Sequence, residues 1–175
     1  MRVLHTADWH LNDTLGRIDR RAHLRAALDQ IAGLLDTHNV DVLLVAGDVF
    51  SERSRAEQLR DSIKDIQQAF SSFLQRGGTM VAISGNHDNP VFFETLQHAL
   101  DLVAPGQAGP HGTHPTGRLY VAPNPRLLRL ADRLGQGVQF ALMPYPTSRY
   151  LRGEAVHFGS VEDKHRAIQS GFLKV

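Results

Sequence analysis

The sequence contains no cysteine. That excludes a disulfide framework, a thiolate metal site and a cysteine nucleophile, so any bound metal must be held by His, Asp, Glu or Asn. No apolar run approaches the ~20 residues of a membrane-spanning helix. The opening Met1-Arg2-Val3-Leu4-His5-Thr6-Ala7-Asp8 turns polar too soon for the apolar segment of a signal peptide. A cytoplasmic location with no membrane partner is the expectation. Neither sign of charge dominates, with 19 Lys+Arg against 18 Asp+Glu, a balance that is silent about polyanionic partners because a basic patch can hide in a neutral total. Internal repeats and low-complexity tracts are also missing. What remains is an ordinary composition, 42% hydrophobic and 21% charged over 175 residues, which suits one domain with one sizeable core.

Hydrophobic patterning predicts alternating strands and helices. Residues 2–6 read as a short strand that empties into the polar stretch 8–13. Over 19–38, Leu24, Leu28, Ile31, Leu34 and Leu35 form an apolar helical stripe, with Arg20, Arg21 and Arg25 elsewhere on the surface. Residues 41–46 read as a strand, continuously apolar from Val42 to Ala46 as when covered on both faces, and Gly47-Asp48 ends them. A second helix is predicted with Ser54 as its N-cap, a stripe of Leu59, Ile63, Ile66, Phe70 and Phe73, and a stop at Gly77-Gly78. Residues 79–84 form the next strand, and Asn89-Pro90 caps a helix running to about Leu100. Residues 105–117 read as a surface loop. Short strands follow at 118–121, 126–130 and 138–143, with a turn over 132–137 and a last helix over 160–172. The alternation predicts an α/β fold with a mostly parallel sheet and helices on both faces, made mixed by an antiparallel portion.

Three clusters follow predicted strands: Asp8-Trp9-His10, Gly47-Asp48 and Gly85-Asn86-His87-Asp88. In an open α/β sheet, loops at the strands' carboxyl ends converge on one rim, so distant residues meet around a ligand. Asp, His and Asn are ligands suited to Mn, Fe or Zn, and a carboxylate such as Asp48 can bridge two ions. Two ions ~4 Å apart activate water and stabilise the entering and leaving oxygens of a phosphoryl displacement. His87 would then protonate the leaving oxygen, with Asp88 orienting it. Each cluster alone also reads as an ordinary turn, but three such coincidences at successive strand ends favour a metal site. His5, His23, His38 and His98 read as structural or solvent-facing, and His111 and His114 as solvated loop residues. Arg53, Arg55 and Arg60 stay unassigned between phosphate contact and exposed helix face.

In this order the clusters resemble the calcineurin-like metallophosphoesterase superfamily, whose first motifs are Asp-x-His, Gly-Asp and Gly-Asn-His-Asp/Glu. Ala46-Gly47-Asp48-Val49-Phe50, Ser84-Gly85-Asn86-His87-Asp88 and Met143-Pro144-Tyr145-Pro146 look like its SbcD/Mre11 DNA repair nuclease branch. The phosphatase branch usually writes Asp-Arg-Gly and Gly-Asn-His-Glu, where this chain has Phe50-Ser51-Glu52 and Asp88. The resemblance implies a metallophosphoesterase-like mixed sheet and two divalent ions, with manganese expected. It implies exonuclease and endonuclease action on DNA ends and hairpins, and work at the nucleoid with an SbcC/Rad50-type ATPase, as a homodimer in the complete protein. Asp8 and His10 would bind the first metal, Asp48 would bridge, Asn86 would bind the second, His87 would be catalytic and Asp88 would support it. The family completes its site with a later histidine and a Gly-His-x-His motif that this sequence lacks, and His157 reads as structural. Residues 1–175 are thus expected to be the amino-terminal portion of such a nuclease domain, incomplete at its C-terminus and of reduced activity alone. Two competing readings are an enzyme for small phosphodiesters or cyclic nucleotides, and a non-catalytic scaffold.

Overall fold

The computed structural model describes residues 1–52, 54–103, 112–132, 134–146 and 159–172. They belong to two units, Met1–Pro144 and Tyr145–Val175. In the first, the elements run β1 (Val3–Thr6), β2 (Thr14–Leu15), β3 (Ile18–Asp19), α1 (Arg21–Thr37), β4 (Val42–Ala46), α2 (Ala56–Gln75), β5 (Thr79–Ile83), α3 (Pro90–Val103), β6 (Leu119–Ala122), β7 (Arg126–Ala131) and β8 (Gly137–Leu142). His111, His157 and Arg53, and most of the loop read at 105–117, lie outside the described residues.

The centre is a four-stranded sheet in the order β1-β4-β5-β6, parallel throughout. Thr6 lies opposite Val45, Val45 opposite Ala82, and Ala46 opposite Ile83. This register ends the first three strands nearly level, so the loops after them leave from one rim.

Alternation along the strands sorts two cores. Leu43, Val45, Met80, Ala82 and Val121 join Leu28 and Leu35 of α1, Ile66, Phe70 and Phe73 of α2, and Phe93 of α3. Val42, Val81, Tyr120 and Ala122 point the other way and pack with Leu128, Leu130 and Leu142 of the β7-β8 hairpin. Burying each of the larger side chains stabilises the fold by about 1.5–3 kcal/mol. The α/β class holds, with two differences from the sequence expectation, in the helices and in the antiparallel strands. The pattern predicts helices on both faces, yet α1, α2 and α3 share one, and the antiparallel strands form their own two-stranded sheet over the second. Each crossover steps to the next strand in the same direction, and right-handed crossovers of that kind deliver every helix to the same side.

Caps and turns follow local chemistry, with one correction. Asn89 Oδ1 accepts the N–H groups of Val91 (3.0 Å) and Phe92 (3.2 Å), capping α3 as expected. The expected cap of α2, Ser54, does not serve. Arg55 is the N-cap, its N–H donates to Gln58 Oε1 at 2.8 Å, and Ser54 Oγ is buried without a hydrogen-bond partner among the described residues. Helices α1 and α2 are tied by Arg21, whose Nε and Nη1 reach Asp65 (3.1 Å) and Asp61 (3.0 Å), and by Arg25, 3.6 Å from Asp65. Helical periodicity shows these guanidinium groups only as surface decoration, because it cannot see an acidic partner on another helix.

In the second unit, helix α4 (Val161–Phe172) starts where Ser160 Oγ accepts the Asp163 N–H at 3.1 Å. Of its expected apolar face, Ile168 is half-buried while Val161 and His165 are exposed. No helix among the described residues is long and apolar enough to cross a membrane.

Candidate active site

The three clusters meet at the rim where β1, β4 and β5 end. Backbone bonds zip the first two loops together: the N–H of Asp8 donates to the Gly47 carbonyl (3.1 Å), that of His10 to Asp48 (2.9 Å) and that of Leu11 to Val49 (3.0 Å). To make this run, Asp8, His10, Asn12 and Asp48 adopt left-handed φ values of 57°, 43°, 64° and 53°. Such backbone costs roughly 1–3 kcal/mol per residue and persists where the surroundings over-determine it.

The third loop is pinned to Asp48. Its Oδ1 accepts the His87 backbone N–H at 3.0 Å. Gly85 sits so close that a Cβ there would lie 2.0 Å from Asp48 Oδ1 and 2.4 Å from the Asp48 nitrogen. Glycine is therefore required at 85 by the approach of a neighbouring loop.

Asp8, His10 and Asp48 present ligand atoms that all lie within 4.8 Å of one another. His10 Nε2 stands 3.9 Å from Asp8 Oδ1 and 3.8 Å from Asp48 Oδ2. Two carboxylates and an imidazole form a donor set of borderline hardness that fits a divalent transition ion. Asp8 is 72% exposed at its side chain and Asp48 only 11%, so one candidate ligand faces solvent while the other is held by the fold. Asn86 is exposed in the third loop. The His10 and His87 rings meet edge to face with centroids 5.1 Å apart.

Adjacency in the chain suggests Asp88 as the group that orients the His87 ring. Instead its buried carboxylate accepts the backbone N–H groups of Phe50 (2.8 Å), Gly85 (2.8 Å) and Val49 (3.2 Å). It braces the second loop against the third and so supports His87 through the backbone. Burial pushes this carboxyl above the usual carboxylate range, against the pull of those N–H groups and with a further push from Asp48. The carboxylate that faces the ring is Glu52, whose Oε2 lies 3.5 Å from His87 Nδ1. Sequence reasoning meets Glu52 only as a departure from the phosphatase pattern; its place directly after the Asp48 loop is the available signal.

Beside His10 and His87 opens a cavity of about 500 Å³, lined also by Ser51, Glu52, Ser54 and Gln58. Asn12 forms part of its wall, donating through Nδ2 to the Gln58 carbonyl at 2.7 Å and to Ser62 Oγ. The remaining histidines behave as expected in part: His114 is engaged, its Nδ1 3.2 Å from the Arg129 backbone, while His5, His23, His38 and His98 take no place at the rim.

Residues 1–160 match the calcineurin-like phosphoesterase family. The chain belongs to this family. It is 37% identical over 105 residues to the SbcD subunit of the nuclease SbcCD from Escherichia coli K12, a stretch covering 59% of this chain and 24% of that protein. It is 30% identical over 175 residues to the SbcD subunit from Rhodobacter capsulatus, covering 96% of this chain and 40% of the relative. The Bacillus subtilis SbcD subunit is 37% identical over 94 residues, 51% of this chain and 22% of its own length. The matched stretch thus spans 22–40% of these relatives, and the likeness places the chain with the SbcD/Mre11 branch.

Proposed function

We propose that this chain forms the amino-terminal portion, residues 1–175, of the catalytic domain of a DNA nuclease that hydrolyses phosphodiesters with two divalent ions. The observation that carries the reading is the convergence of Asp8, His10 and Asp48 within 4.8 Å beside His87. The relatives are named as the SbcD subunit of the nuclease SbcCD, which supports it. Asp8, His10 and Asp48 would hold one ion, and Asp48 with Asn86 the other, with manganese the preferred metal. The ions would acidify water and draw charge from the phosphate.

The chain's own residues do the rest. Water adds to phosphorus and gives up a proton to solvent, the bond from phosphorus to the leaving sugar oxygen breaks, and the His87 imidazolium gives that oxygen its proton. Glu52 stands beside Nδ1 and can accept that N–H, so the proton given to the leaving oxygen is the one on Nε2 of the imidazolium. The His87 N–H on Asp48 fixes the ring's origin relative to the metal ligands. We assign the substrate as DNA ends and hairpins, the partners as an SbcC/Rad50-type ATPase and a second copy of the complete protein, and the location as cytoplasmic at the nucleoid.

The test is incubation with manganese and end-labelled linear duplex DNA, with Asp48→Ala as control. Degradation by the parent and none by the variant is the expected result. Equal degradation by both contradicts the reading, and so does a lack of degradation by a chain extended through the later histidine and Gly-His-x-His motif.

A further inference from the structure

We propose that Asn12 is a positioning residue of the metal site: its side-chain amide hangs the loop that carries His10 on helix α2, and so sets where the imidazole stands relative to Asp8 and Asp48. This role rests on the metal-site reading above and adds to it a residue that none of the three strand-end clusters contains. His10 is gripped from two sides. On one, the N–H groups of His10 and Leu11 donate to the Asp48 and Val49 carbonyls, which ties the backbone to the second loop. On the other, the chain turns over residues 10–13, closed by the Asp13 N–H on the His10 carbonyl at 3.0 Å. Asn12 lies within that turn and reaches α2, its Nδ2 donating to the Gln58 carbonyl at 2.7 Å and to Ser62 Oγ.

The chemistry at this position asks for an amide. Asn12 has φ 64°, a left-handed conformation that glycine adopts at less cost, so what asparagine adds there is its side chain. The Gln58 carbonyl can only accept. Ser62 Oγ donates its proton to that same carbonyl at 2.9 Å, so toward Asn12 it accepts as well. Two acceptors side by side call for two donors on one group, which an amide NH2 supplies and a carboxylate or hydroxyl does not.

The helix does not depend on this tie. Without the Asn12 amide the Ser62 hydroxyl still reaches the Gln58 carbonyl, so no buried polar group of α2 is orphaned. Ile66, Phe70 and Phe73 seat α2 in the core, and Asp61 and Asp65 bind it to Arg21. The loop is in the opposite position: among the described residues, the hydrogen bonds that join residues 8–13 to α2 are those of the Asn12 amide. Loss of the amide therefore frees the turn and leaves the helix in place. His10 Nε2 stands 3.9 Å from Asp8 Oδ1 and 3.8 Å from Asp48 Oδ2, and a ligand set keeps its affinity only when held to within ~0.5 Å. A small swing of the turn is thus felt by the ion before it is felt by the fold.

The test is manganese titration calorimetry and metal-free thermal melting of the full chain, for the parent, Asn12→Gly, Ser62→Ala and the double variant. Glycine keeps the left-handed backbone and removes the amide. Asn12→Gly is expected to weaken manganese binding about tenfold while lowering the metal-free melting midpoint by no more than about 3 °C. Ser62 is fully buried on α2 and, among the described residues, bonds only Asn12 and Gln58. Ser62→Ala should weaken manganese binding about threefold alone and no further in the Asn12→Gly background, because its effect on the ion passes through Asn12. A residue that only stabilised the fold would lower the midpoint and leave the folded protein's affinity alone. Unchanged manganese affinity in Asn12→Gly, a large fall in its midpoint, or additive losses of affinity in the double variant overturns the positioning role and leaves the metal-site reading standing. Failure of the parent to bind manganese overturns both.

Discussion

The two ends of the central sheet are built from the same strand-loop units but spend their polar groups differently. At the amino ends, charges answer one another. Asp132 accepts the N–H groups of Leu134 and Gln136 (both 2.9 Å) and the Met1 amine (3.1 Å). Asp41 accepts the Arg2 N–H at 2.7 Å, and Arg76 pairs with Asp36. At the carboxyl ends the backbone takes left-handed φ at Asp8, His10, Asn12 and Asp48, Asp8 stays exposed and Ser54 Oγ stays unpartnered among the described residues. The lesson is that left-handed non-glycine backbone gathers mostly at the candidate ligand site, with Asn39 (φ 48°) the one such described residue at the other end, where polar groups largely satisfy one another.

The largest expected effect separates two glycines. Gly85→Ala drives a methyl into Asp48 and should destabilise by about 3–4 kcal/mol, with loss of manganese binding. Gly77→Ala, at φ 92° with nothing within 4 Å, should cost only about 1–2 kcal/mol from its backbone conformation. Thermal unfolding of both variants checks the contrast, and equal losses would break it. Asp88→Ala comes next: three N–H groups lose their acceptor, and about 2–3 kcal/mol of stability in denaturant titration should go with them.

Arg21→Ala tests a tie remote from the rim. Asp65 is buried but Arg21 is more than a third exposed, so solvent screening trims the expected loss to about 1 kcal/mol, with manganese affinity unchanged. The smallest effect is a pH dependence at the amino end. The Gln136 N–H first, and then the Met1 amine and the Leu134 N–H, hold the Asp132 carboxyl below its ordinary value of 3.8. A carboxyl lowered on folding contributes stability that is complete above that ordinary value and is lost as pH falls through the lowered one. Asp132→Asn should therefore lower the melting temperature slightly at neutral pH, where that contribution is complete, and flatten the acid limb, so that the two proteins converge below the lowered value.

Much of this contrast is legible in the sequence. The continuous apolar run 42–46 marks a strand covered on both faces, Asn89-Pro90 marks a helix start, and three strand-end clusters name the residues that meet. What stays hidden depends on contacts between segments far apart in the chain. Periodicity shows that a helix has an apolar face, but the side of the sheet it takes follows from strand order, which puts α1, α2 and α3 together. Asp88 looks like an orienter because it adjoins His87, whereas its oxygens reach back to residues 49 and 50. Glu52 gains meaning only once the second and third loops are folded side by side.

The central claim is that the carboxyl ends of β1, β4 and β5 assemble a divalent-cation site. The most direct measurement is a manganese titration of the parent chain and of Asp48→Ala, followed by calorimetry, with circular dichroism confirming that both are folded. The account predicts saturable binding by the parent and at least a roughly tenfold weaker affinity in the variant. Equal affinity in two folded proteins would contradict it.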